Sequence, residues 1–318
     1  MVEKQFKNLD EQIDIFKHKG LIINDEKYVK EVLLRENYFF LNGYRHLFLK
    51  SETDRTFKSG TTFEEMYSLF LFDRSFRNVI FKYLLVIENN LKSIISYQLS
   101  KKYGYRERDY LKEKNFTRSP DKQAQLNDLL KKMKRQIRVN GSQHSATLHY
   151  VSNYGYIPLW ILVKVLSFGI VSEMYSILKP EDQEDIANIY QIDAGTLMVY
   201  FPILANYRNL CAHEDILYEN KTQKAIDDTV FHHLLHIKKE EDEYIYGKND
   251  LFALIIIMKQ MLKADEFKNM TIELENVIGT LNFNLHVISI DDVLKRMGFP
   301  RNWMDLAKFE RSKDEGDE

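Results

Sequence analysis

The segment Tyr207-Arg208-Asn209-Leu210-Cys211-Ala212-His213 places an arginine, an asparagine and a histidine within six residues. An imidazole titrates near pH ~6.5, so it takes and gives protons around neutrality. A guanidinium stays charged and grips a phosphate through two parallel hydrogen bonds. Together these groups suit RNA strand cleavage, in which the ribose 2′-hydroxyl attacks the adjacent phosphorus. A base removes the hydroxyl proton, a cation stabilises the added negative charge, and an acid protonates the leaving oxygen. That chemistry requires no metal ion and no cofactor. The competing reading of Arg208 and His213 is a helix-end pair that hydrogen-bonds the terminal carbonyls. Spacing alone also selects Arg138 and His144, but these bracket Asn140-Gly141-Ser142, which reads as a loop.

The residues must be held by something rigid. Upstream, Leu197, Tyr200, Leu204, Tyr207 and Cys211 form an apolar stripe, so a helix beginning near Asp193 would anchor to a core and carry the polar set at its C-terminal end. Positions four apart on a helix lie about 40° apart, so Asn209 and His213 share a face while Arg208 reaches round.

The other elements read as helices. Asn8 can cap a first one ended by Gly20, and Asn24 a second that runs to about Arg35. Asn37 to His46 is aromatic-rich and reads as a helix end or sharp bend. Thr62 to Glu65 has the form of a capping box and opens the longest stretch, to about Tyr103. Within it Ile80, Leu84, Ile87, Leu91 and Ile94 recur at steps of three and four, beside Phe72, Phe76, Val79 and Tyr83. A span of ~40 residues exceeds the usual helix, so a break near Asp73 is expected. Ser119-Pro120 starts a further helix to about Arg138, and Pro158, Gly169 and Pro180 punctuate those that follow. Asn220 to Ile237, Asp250 to Lys263, Ile272 to Leu281 and Ile290 to Met297 read as helices, with a last short one around Trp303 and a charged, frayed tail from Glu310. No stretch alternates as a strand. The fold class is therefore all-α.

Composition agrees, with 12 Gly and 5 Pro in 318 residues and Leu, Ile, Lys and Glu dominant. The single Cys211 rules out an internal disulfide and a cysteine-based zinc cage, and fits a reducing cytoplasm. No apolar run reaches the ~18 residues of a spanning helix, so no membrane is expected. Net charge is −2, but residues 101–140 hold thirteen Lys or Arg against five Asp or Glu, a net of +8 that leaves −10 for the remainder. Such segregation can create a local positive field, although a solvated helical face reads equally well. Within it Lys131, Lys132, Lys134, Arg135 and Arg138 are the candidates for RNA-backbone contacts. Asp228, His232 and His236 fall on one helical face and could ligate a metal, but without a fourth ligand an exposed polar face is preferred, and no metal site is assigned. Tyr38, Phe39, Phe40, Tyr44 and Phe48 could stack on bases, although such a cluster is more often core. Trp160 and Trp303 read as packing residues.

Tyr207 to Tyr218 resembles the signature of the bacterial Abi family (AbiD/AbiF-like abortive-infection proteins), with its Arg-Asn, Cys-Ala-His and following Leu-Tyr. Other blocks are similar in the same order. They are Asn37 to Phe48 (with the arginine shifted to Arg45), Phe72-Asp73-Arg74 through Glu88 to Gly104, Pro158-Leu159-Trp160 with Val165 to Gly169, and Met297 to Pro300 with Trp303. The resemblance covers about residues 5 to 307. This family is similar to the HEPN superfamily of α-helical domains, many of them metal-independent ribonucleases with an Arg-x4–6-His motif. The resemblance implies a HEPN-like helical bundle with terminal helical extensions: an N-terminal segment at 1–58, a core at 59–238 with a basic insertion near 101–140, and an extension at 239–318. It implies Arg208, Asn209 and His213 as catalytic residues and Glu88 in a supporting role, with a salt bridge to Arg208 as the competing reading. It also implies a homodimer that brings two motifs into one cleft. RNA is the expected partner, as substrate and as a small noncoding RNA that restrains the protein, and no DNA is expected. The alternative is a non-catalytic HEPN module that binds RNA or protein in phage defence. HEPN toxins silenced by tyrosine modification carry Tyr two residues after the histidine, where this chain has Asp215.

Overall fold

The computed structural model describes residues 5–141 and 143–310, and the charged tail beyond lies outside the described residues. The chain is all-α, with a single two-residue hairpin, Lys239–Glu240 against Glu243–Tyr244, among the described residues. Glu241 and Asp242 link those strands with φ of 50° and 67°. Two-residue loops that match the strand twist require such values at both positions.

The axis of the molecule is the helix Phe63–Tyr103, 41 residues without a break. At about 1.5 Å per residue it is roughly 60 Å long. Helices Ala264–Asn282, Leu159–Val165 and Ala194–Ala212 pack along it. The expected interruption near Asp73 does not occur. Asp73 and Arg77 are buried but bond each other four residues apart, so the helix carries its charges through the core already paired. Thr62 caps this helix through Glu65 N, but Glu65 does not close a capping box. Its carboxylate instead accepts the backbone N–H groups of His286, Val287 and Ile288, which ties the C-terminal helices to the start of the long one.

Most other expected helices are present: Leu9–His18, capped by Asn8; Glu26–Glu36, capped by Asp25 and not Asn24; Gln123–Asn140; Leu251–Met261; and Ile290–Met297. The segment 220–237 departs from expectation, for only Val230–Leu234 is helical. Thr222 N and Ile226 N bond the carbonyls of Asn249 and Lys248, so this stretch lies pinned along another loop and cannot close helical hydrogen bonds. Trp303 is core, but Trp160 is 41% exposed, resting beside Tyr105. No described helix is long and apolar enough to cross a membrane.

Candidate functional site

The motif occupies the end of helix Ala194–Ala212, which Asp193 caps through Thr196 N. Leu197, Tyr200, Leu204, Tyr207 and Cys211 are all buried, as the stripe predicts. Burial pushes the Cys211 thiol up to about 12, so the one cysteine is a core residue and not a nucleophile. His213 is the C-cap residue. Its N–H bonds Asn209 O, Glu214 takes φ 57°, and Asp215 N reaches back to Leu210 O at 3.1 Å. This is a left-handed helix stop with glutamate where glycine is usual. It halts the helix at the histidine and leaves that side chain exposed.

Arg208 is held from behind. Its Nε donates to Glu88 Oε2 at 3.0 Å, and Glu88 Oε1 accepts from Lys92 Nζ at 2.7 Å. Glu88 and Lys92 are buried, whereas the Arg208 side chain is 30% exposed. Its terminal amino groups have no hydrogen-bond partner among the described residues, and its guanidinium carbon lies 6.0 Å from the centre of the Phe81 ring. Asn209 is exposed beside it.

The turn after His213 is fixed by the long helix. Asp73 accepts from Leu217 N, Tyr218 N and the Tyr44 hydroxyl, and Arg77 donates to Asp73 and to Asp215 O. Burial raises the Asp73 carboxyl, and these donors pull against that rise. The arrangement sets the chain from Asp215 to Tyr218 against the core just past the catalytic candidate.

His213 also lines a cavity of about 810 Å³ with Asp215, Arg45, Phe39, Phe40 and Arg74. Arg74 clamps Glu36 with two hydrogen bonds, which hold the Glu36 carboxyl below the usual carboxylate range. The aromatic cluster thus divides: Tyr44 and Phe48 are core, Tyr38 packs on Phe16, and Phe39 and Phe40 are exposed. Arg208 does not line this cavity.

The remaining candidates lie elsewhere. Lys131, Lys134, Arg135 and Arg138 are exposed on helix Gln123–Asn140, while Lys132 is paired with Asp128 and Glu173. Arg138 lies in the last turn of that helix and His144 caps the next, so they form no common helix end. Asp228, His232 and His236 do not share a helical face. His232 is buried, its Nε2 on Gly247 O and its Nδ1 accepting from Thr229 N, and Asp228 pairs with Lys239 and Lys248. The exposed polar face expected there is thus replaced, at its centre, by a core histidine.

Sequence reasoning missed Arg77 and Lys92, and took Asp73 as a helix break and not as a buried anchor. A signal was present, because all three fall at helical spacing within the apolar face of the longest helix, where a charge must find a partner.

An all-α protein presenting Arg208, Asn209 and His213 at the end of an anchored helix is the class that fold and site define. A family model described as Abi-like protein matches residues 31–219, more than half the chain, and the chain belongs to this family. The matched span includes the long helix, the basic segment and the motif. No curated protein and no solved structure gives a significant match.

Proposed function

We propose that this chain is a metal-independent endoribonuclease of the HEPN type, acting in abortive infection as a homodimer. Membership of the Abi-like family supports a role in abortive infection, a form of phage defence. The observation that carries the catalytic reading is the setting of Arg208: bonded through Nε, it keeps its terminal amino groups for a phosphate, at the same helix end where His213 is exposed. In the reaction one imidazole takes the 2′-hydroxyl proton, the oxygen bonds to phosphorus, and the bond to the 5′-oxygen breaks. A second imidazole, the partner's His213, gives that leaving oxygen a proton. The products are a 2′,3′-cyclic phosphate and a 5′-hydroxyl. Arg208 stabilises the additional charge on the phosphoryl oxygens, and Asn209 orients them. A cognate noncoding RNA bound over the same surface would keep the enzyme silent.

The test is incubation of total RNA with wild type, Arg208→Ala and His213→Ala proteins under chelation, with end-group analysis. Wild type should produce cyclic phosphates, and each variant should lose about 100-fold or more in rate while melting like wild type. Undiminished cleavage by both variants would end the catalytic assignment. RNA binding without cleavage by wild type would identify the non-catalytic module.

A further inference from the structure

The lining of the cavity beside His213 is not that of a packing defect. At about 810 Å³ it falls within the size of small-ligand sites, roughly 300–1,000 Å³. Two phenyl rings that a core would gain by burying stand at it instead: Phe39 is 76% exposed and Phe40 51%, their centroids 6.0 Å apart. Asn37 turns them outward, breaking the preceding helix at φ 65°, a setting that favours glycine, and capping the short helix Tyr38–Asn42 through Phe39 N. Among the described residues the side chains of Asp215 and Arg35, which also line the cavity, make no hydrogen bond or ion pair. His213 belongs both to this wall and to the motif.

We infer that this cavity is a base-binding subsite, which takes the nucleobase next to the cleaved phosphodiester. This rests on the ribonuclease reading. The phenyl rings stand edge to face, 70° apart, so one offers a face on which any base can stack and the other an edge against it. The free carboxylate of Asp215 can accept from a base N–H, and the Arg35 guanidinium on the same lining can pair with a neighbouring phosphate. Because His213 opens onto the cavity, a base seated there carries its own 3′-phosphate toward the imidazole. Single-stranded RNA fits this geometry better than a duplex, whose bases are stacked and paired.

The experiment uses an oligoribonucleotide whose cut site has been mapped with wild-type protein, and copies with one abasic ribose on either side of that site. Phe39→Ala/Phe40→Ala protein should bind the intact oligonucleotide about tenfold to a hundredfold more weakly. One abasic copy should cost wild type a similar factor and cost the double variant nothing further. Ultraviolet crosslinking of 4-thiouridine RNA to His213→Ala protein should map to the peptide that holds Phe39 and Phe40. Equal abasic penalties in wild type and double variant, or crosslinks confined to helix Gln123–Asn140, would overturn the subsite while leaving the ribonuclease reading intact. Dissociation of a wild-type dimer by the double substitution without RNA would overturn it too, because the rings would then belong to a contact between copies. If wild type cuts no RNA, the ribonuclease reading falls first and the subsite with it.

Discussion

Glu88 holds Arg208 by the side of its guanidinium and not by the tip, at 3.0 Å through Nε, and shares its other oxygen with Lys92. A carboxylate placed at the tip would compete with phosphate. At Nε it orients the fork and leaves the two terminal amino groups open to an anion. One carboxylate thus serves two cations, so the trio keeps a net positive charge facing outward.

This arrangement separates stability from function. Glu88→Ala leaves Lys92 buried without its partner and should lower unfolding free energy by about 3 kcal/mol, as single-partner removals from buried pairs do. Glu88→Leu with Lys92→Met should recover most of that loss in urea melts. It should not recover RNA cleavage, because Arg208 would remain unanchored. Recovery of both would show that Arg208 needs no anchor.

Asp73 is the second buried anchor. Asp73→Ala removes the acceptor of two backbone amides and leaves buried Arg77 with only the Asp215 carbonyl and no opposite charge, at a cost of about 3 kcal/mol or more. Hydrogen exchange should show the largest loss of protection at Leu217 and Tyr218, next to the motif. A loss spread evenly over the chain would contradict a local tethering role.

His232 makes stability depend on pH. Its Nδ1 accepts from Thr229 N, so the buried ring is neutral with its proton on Nε2, facing Gly247 O. Burial lowers its pKa below the ordinary value. The unfolded chain protonates this ring below pH ~6.5 while the folded chain resists. The contribution is therefore whole above that pH and fades as pH falls toward the folded-state value. Urea midpoints should drop between pH 7.5 and 5.5 in wild type, and His232→Phe should be less stable at pH 7.5 but flatter across the range. An unaltered slope would assign the effect to another group.

The basic helix is a candidate for contacts to the RNA backbone. Changing Lys131, Lys134, Arg135 and Arg138 to Gln should weaken RNA binding and reduce the slope of log affinity against log salt by roughly 3, the value for four phosphate contacts on a single strand. Lys132, already paired with Asp128 and Glu173, should contribute little when changed alone. An unchanged slope in the fourfold variant would remove this helix from the RNA path.

The local geometry of this chain was legible in its sequence. Periodicity placed the motif at the end of a helix with its stripe inward, because burial of Leu197, Tyr200 and Leu204 depends only on spacing along one helix. Caps at Asn8, Thr62 and Asp193 were equally local. What crosses between elements was not. Whether Glu65 would close its own capping box or reach the backbone of residues 286–288 depends on a partner more than 200 positions away. The irregular course of 220–229 depends on hydrogen bonds to 248–249. The aromatic cluster looked uniform in one dimension, yet packing sent Tyr44 and Phe48 inward and left Phe39 and Phe40 beside His213. A sequence states which side chains can do chemistry and which face of its own helix each occupies. Which cavity that face opens on, and which buried charge holds it there, is decided only when distant segments compete for the same core.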